Sequence, residues 1–441
     1  MKRTLVVFLL VSLILSACAP ESPPASPAAF DTTPLPTAPA APPTERATAT
    51  TPPTEPPAET LPTETPPAPT ATPRPDDGIL LGAIRWDGWF GGSHYVKNLF
   101  PEEWRYRLPF YASVLPDGQV EMASDSQAVM DQEIAYAAAN GIDYWIFLMY
   151  IVRDEQGNPL GEEQVGWKAN EMNLSRQYYL SSPYKQMVKF ALMLQVQGYV
   201  DADGSGHNFG EHNWNFQLEE AVAQMQEPSY QTVLDGRPLV YFFLWGQDVG
   251  KIWGSWDAMR QKLDGFRQYA QEQGLKNPYI VAMVFSAEEG ARAVTELGVD
   301  AVTSYSGGFI PGSYDNTADY TYYDYNAQAQ ADRALWESFR AAGLKAVPVA
   351  SMGWDPRPHR DDIFGYGGYT SGPVVERAAP EQLAAHVLEA VEWMWTYPET
   401  AEPQTVIVYA WNELSEGGWL VPTLEEGDAR LRAISEALLN R

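Results

Sequence analysis

The chain has 441 residues, with 57 acidic and 29 basic side chains, a formal net charge of −28 and a single cysteine. That balance excludes a nucleic-acid-binding protein, which needs a basic face, and electrostatic attachment to an anionic membrane. One cysteine also excludes an internal disulfide, while acidity by itself speaks for solubility and not for function.

Residues 1–18 read MKRTLVVFLLVSLILSAC: two basic residues, an apolar run and small residues, the pattern of a secretory leader. The run is shorter than the roughly 20 apolar residues that a membrane span requires. Its ending, Leu15-Ser16-Ala17-Cys18, resembles a bacterial lipobox. That resemblance implies that Cys18 is lipidated and begins the mature protein, anchored outside the cytoplasm at the bacterial cell surface. Residues 19–77 hold 19 of the 36 prolines and are otherwise rich in Thr and Ala. Such a segment cannot bury enough apolar surface to offset its ordering entropy, so a disordered, stiff tether is expected.

Residues 78–441 are uniform in composition and carry 49 acidic and 25 basic side chains. Apolar, β-rich runs occur at 79–86, 142–150, 189–195, 239–245, 279–285, 299–305, 345–351 and 405–411. Most are continuous and not alternating, as strands covered on both faces should be. Helical patterns lie at 126–139, 168–180, 215–226, 254–273, 287–297, 327–342, 380–397 and 425–440. Asn140-Gly141, Gly274 and Gly343 supply stop signals, and Pro380 supplies a start. Eight strands each followed by a helix predict a (β/α)8 TIM barrel over 78–441. The competing open doubly wound sheet lacks its Gly-rich phosphate turn here.

Active sites of such barrels sit at the C-terminal ends of the strands. Those ends carry Trp86 and Trp89 after the first strand, Tyr150 after the second, Trp245 after the fourth and Tyr305 after the sixth. Trp354, Asp355 and Arg357 follow the seventh, and Trp411, Asn412, Glu413 and Glu416 follow the eighth. Aromatic rings mixed with carboxylates, amides and an arginine suit a carbohydrate, whose C–H faces pack on rings while polar groups fix its hydroxyls. Glu413 and Glu416 are a pair of the kind glycosidic cleavage uses, one protonating the leaving oxygen and the other acting as nucleophile or base. Held close together, their proton affinities should separate.

Trp411-Asn412-Glu413-x-x-Glu416-Gly417 resembles the W-N-E-W-x-E-G signature of the WbsX-like group, related to glycoside hydrolase family 99. Gly141-Ile142-Asp143, Asp235-Gly236-Arg237-Pro238, Gly353-Trp354-Asp355-Pro356-Arg357 and Leu420-Val421-Pro422-Thr423 agree in order. The resemblance implies a (β/α)8 endo-acting α-mannosidase or mannanase that needs neither metal nor cofactor. It implies that Glu413 deprotonates the sugar 2-hydroxyl to form a 1,2-anhydro sugar. Glu416 would be general acid, then general base for water. Leu414 replaces the usual Trp of the signature, and the first strand ends Ile-Arg-Trp.

Two other readings stay open: a barrel that binds glycans without cleaving them, and a glycosyltransferase-type protein. The D-x-D candidate of the latter, Asp201-Ala202-Asp203, reads better as an acidic Gly-rich surface turn, and nucleotide sugars are cytosolic while the leader predicts export. His207-x-x-x-Glu211-His212 has one residue too many for a zinc motif. The expected partner is a glycan and the expected state a monomer, touching a membrane only through its anchor.

Overall fold

The computed structural model describes residues 78–91, 93–150, 171–200, 204–244, 246–312, 319–360 and 369–441. The leader with Cys18, the tether 19–77, Trp245 and the segment 201–203 lie outside the described residues.

Eight parallel strands form the centre: β1 (Leu80–Arg85), β2 (Tyr144–Leu148), β3 (Lys189–Gln195), β4 (Arg237–Phe243), β5 (Tyr279–Met283), β6 (Ala301–Thr303), β7 (Val349–Ser351) and β8 (Thr405–Tyr409). Neighbours pair in the order β6-β5-β4-β3-β2-β1-β8-β7. The ring closes between β6 and the approach to β7, where Val302 N donates to Lys345 O and Val347 N to Val302 O, both at 2.9 Å. The expected (β/α)8 barrel is therefore the fold.

The run 345–351 is divided by Pro348, which has no N–H to give a ladder. Residues before it pair with β6, and those after it pair with β8. Every residue of β2 and β5 is buried, which explains why their sequences do not alternate. The lower end of the barrel is closed by Tyr144, whose hydroxyl lies 2.8 Å from that of Tyr241 and 2.7 Å from Thr405 Oγ1. Only a glycine fits beside it: a Cβ on Gly82 would lie 2.3 Å from the Tyr144 ring.

The outer layer holds α1 (Gln127–Ala139), α2 (Leu174–Ser181), α3 (Gly210–Met225), α4 (Trp256–Glu272), α5 (Ala287–Arg292), α6 (Tyr325–Ala341), α7 (Pro380–Thr396) and α8 (Ala429–Leu439). Gly141, Gly274 and Gly343 take positive φ just past α1, α4 and α6, as stop signals require. Pro380 is the first residue of α7, where its missing N–H costs nothing.

Candidate active site

At its C-terminal end β8 runs into a tight hairpin in which Asn412–Glu413 pairs antiparallel with Gly418–Trp419. The hairpin is bolted to the first strand. Trp411 N donates to Ile84 O at 2.7 Å, and Asn412 Oδ1 accepts from Trp86 N at 2.8 Å. The Trp89 indole donates to Asn412 O at 2.7 Å. The Trp411 indole donates to Glu133 at 2.7 Å, and Arg85 reaches both Glu133 at 3.0 Å and Asp87 at 3.1 Å. These charges are buried, and their mutual pairing is what makes that tolerable.

The loops after β7 and β8 cross at two glycines. A Cβ on Gly353 would lie 2.5 Å from Gly417 O, and one on Gly417 would lie 2.7 Å from Asp355 N. This close approach lets Asp355 N donate to Glu416 O at 2.6 Å. Arg107, fully buried, locks the crossing by donating to Asp355 O at 3.0 Å and Leu414 O at 3.1 Å while pairing with the Asp355 carboxylate. Arg357 grips the same carboxylate at 2.7 Å, and the two guanidiniums hold Asp355 ionised, below the usual carboxylate range against the pull of burial.

Glu413 and Glu416 thus hang from a rigid frame. They are 3% and 9% exposed. Glu413 Oε1 accepts from the Tyr305 hydroxyl at 2.5 Å, and Glu416 Oε2 accepts from the Tyr409 hydroxyl. Burial pushes the proton affinity of Glu413 well up, and the neighbouring charges of Glu416 and Asp87 push it further. Burial also raises Glu416, but His359, Tyr409 and Tyr369 oppose the rise. Both tyrosines stay protonated, since burial and the adjacent carboxylates raise them well above their ordinary value. The arrangement therefore makes both carboxyls hold their protons more tightly than usual, Glu413 above all, and offers an unusually basic carboxylate once a proton leaves.

Of the residues read from the sequence, Tyr305 lies against Glu413. Trp354 is half-buried, 6.3 Å from the Tyr409 ring and 6.1 Å from that of Tyr369, on the side of Glu416. Trp86 and Tyr150 are 8% and 7% exposed. Trp89, Trp411 and Asn412 are fully buried. Expected as sugar contacts, Trp89 and Trp411 stand in the wall behind the pair, their indole N–H groups spent on Asn412 O and Glu133. Asn412, expected likewise, turns its Oδ1 to Trp86 N. Asp355 and Arg357 bond to each other. Sequence reasoning missed Arg107, Glu133, Tyr369 and Tyr409. Tyr409 falls inside an apolar strand, and the other three lie in segments with no motif. His359, whose charge bears on Glu416, lies in the loop after β7. Among the described residues no group of three or more His, Cys, Asp or Glu could hold a metal.

A family model described as Glycosyltransferase WbsX matches residues 206–434, just over half of the chain. No curated protein matches the sequence. Among solved structures, a GH99 endo-alpha-mannosidase from Bacteroides thetaiotaomicron is similar with a TM-score of 0.50 at 11% identity, covering 81% of this chain and 96% of that one. The same enzyme type from that organism, in complex with bis-tris-propane, gives a TM-score of 0.46 at 10% identity, covering 81% and 95%. A GH138 enzyme targeting pectin rhamnogalacturonan II gives 0.39 at 10% identity, covering 81% of this chain and 39% of that one. At such identities the likeness speaks for the barrel and not for its chemistry.

Proposed function

The chain belongs to the WbsX family, and from that premise we propose that it is a glycoside hydrolase cleaving glycan chains by the Glu413/Glu416 pair, with retention and within α-mannosidic or related chains. The observation that carries this reading is the pair itself: two buried carboxylates at the C-terminal mouth of a barrel, each fixed by a tyrosine hydroxyl. Surface E-x-x-E pairs are neither buried nor so held.

In the proposed reaction Glu413 takes the proton of the sugar 2-hydroxyl, and O2 attacks C1. The glycosidic C1–O bond breaks as Glu416 gives its proton to the leaving oxygen. Water then gives a proton to Glu416 and bonds to C1, the C1–O2 bond opens, and Glu413 returns its proton to O2. Two inversions at C1 leave retained configuration. Once Glu413 is ionised, its raised proton affinity suits this work, since a carboxylate that binds protons more tightly is a stronger base towards a hydroxyl. Trp86, Tyr150, Trp245, Trp354 and the Asp355–Arg357 pair would contact sugar, and Cys18 would carry the lipid that keeps the enzyme at the cell surface.

The test is incubation with α-mannans, β-glucans and released glycoprotein glycans, with the anomer of the first-formed product followed by NMR. A new reducing end with retained configuration supports the proposal; binding without cleavage of any of them refutes it. The family's description as a glycosyltransferase favours a second reading, glycosyl transfer. It predicts release of nucleotide from a nucleotide sugar and no free reducing end.

A further inference from the structure

Away from the barrel mouth, a groove of about 490 Å³ opens on the outer wall between α3 and α4. We propose that it is a second glycan-binding site, holding a neutral saccharide chain outside the catalytic cleft. The inference rests on the glycoside hydrolase reading for the identity of the polymer.

The groove is built before any ligand arrives. The Trp253 indole donates to Val196 O at 2.6 Å, which fixes its ring. Lys262 lies 4.2 Å over that ring and is bound to both Glu211 oxygens at 2.5 Å. Tyr269 lines the same groove one turn beyond Gly265. Gly265 sits inside α4, where glycine is unfavourable for a helix, and a Cβ there would meet nothing within 4 Å. Packing therefore does not call for this glycine; its missing side chain deepens the groove between the two rings. Asn215, Glu219 and Gln261 add hydroxyl partners along the walls.

The Tyr269 ring and the rim of the Lys262-capped Trp253 indole, interleaved with amides and carboxylates, match a pyranose chain. The lining cation, Lys262, is engaged by Glu211, so nothing invites a phosphate or an acidic peptide. Glu211 and Trp253 belong to segments that follow the C-terminal ends of β3 and β4, the edge of the barrel that also carries Glu413 and Glu416. A chain held there would raise the local concentration of its neighbouring residues at the mouth.

The test is affinity electrophoresis of the Glu416→Gln protein through gels containing soluble α-mannan, β-glucan or xylan. At least one polymer should retard it, and adding Gly265→Leu or Tyr269→Ala should weaken the retardation at least fivefold. Gly265→Leu should leave Tm unchanged or higher, separating a blocked groove from a damaged fold. Retardation identical in all three proteins, or in none of the gels, overturns the inference. If the wild type cleaves no glycan yet Gly265→Leu abolishes retardation, the groove stands and the hydrolase reading falls. Cleavage with retardation unaffected by both groove variants sinks the groove alone.

Discussion

Tyr305 and Tyr409 meet edge to face with ring centroids 5.3 Å apart, and each donates its hydroxyl to a different glutamate, Glu413 and Glu416 respectively. One aromatic contact thus sets the spacing of two hydrogen bonds that hold the two carboxylates apart in role. Each bond stabilises the ionised form of its own carboxylate. Tyr305→Phe should therefore raise the proton affinity of Glu413. In the proposed roles the acid limb of the pH–rate profile, where the base must be ionised, then moves to higher pH. Tyr409→Phe should raise Glu416 and carry the basic limb to higher pH. A charge-assisted hydrogen bond is worth about 1.5–3 kcal/mol, so kcat/KM should fall roughly tenfold to hundredfold at the wild-type optimum. The pair titrates as a unit, so the limbs are macroscopic values. Both variants moving the same limb would contradict the division of roles.

The same burial has a consequence for stability. Glu413 binds its proton more tightly folded than unfolded. The folded state is therefore favoured by that proton below the ordinary glutamate range, and the advantage is lost as pH rises towards the raised folded value. Glu413→Gln removes this dependence. Because a carboxylate ionised in a buried site is kept at a cost in stability, the variant should be about 1–2 kcal/mol more stable at pH 8 and closer to wild type at pH 4.5. Thermal melts across that range check it; a variant less stable at both pH values would contradict the burial argument.

The barrel was legible because its strands and helices announce themselves by period and by glycine and proline punctuation. Pro348 shows where the reading lost detail: one apolar run serves two neighbours in succession, and only the pairing reveals it. The carboxylate pair was legible because it follows a buried strand. What surrounds it was less so. Trp89 and Trp411 look like sugar platforms in the sequence, but indoles whose N–H groups end on Asn412 O and Glu133 are committed to the wall. Arg107 carries no motif; its importance comes from three carbonyl and carboxylate partners that lie more than 240 positions away.

Arg107 therefore offers a test of the frame. It is buried at the crossing of the loops after β7 and β8 and bonds to Asp355 and Leu414. Arg107→Ala leaves those carbonyls without this donor while Arg357 keeps the Asp355 carboxylate paired, and a buried acceptor left unsatisfied costs about 1–3 kcal/mol. Urea unfolding should show that loss in the midpoint. Arg107→Lys keeps the charge but not the fork that spans the partners, so it should fall between. If Arg107→Ala unfolds at the wild-type midpoint, the crossing is held by the glycine contact alone.

For the leader and tether, the expectations rest on sequence. Cys18→Ser should leave unprocessed precursor and abolish acyl labelling in the native host. A protein starting at residue 78 should melt within about a degree or two of the mature one, since the tether has no apolar face to pack. Normal maturation without label would end the lipoprotein reading, and a large fall in Tm would show that the tether packs on the barrel.

The division of labour between Glu413 and Glu416 can be read from leaving groups. In the proposed route Glu416 protonates the departing oxygen, so Glu416→Gln should slow a natural glycan most, by about 10²–10⁴-fold if general acid catalysis carries its usual weight. An aryl glycoside with an acidic phenol needs little protonation and should keep much more of its rate in the first step. Glu413 acts in the same step but on the sugar itself, so Glu413→Gln should slow both substrates to a similar degree. Neither change should unfold the protein, because glutamine preserves shape and can still accept from Tyr409 or Tyr305. Rates for the two substrates in the two variants give a four-way comparison. Equal losses for both substrates in Glu416→Gln would remove it as the acid, and wild-type rates in both variants would remove the pair from the chemistry altogether.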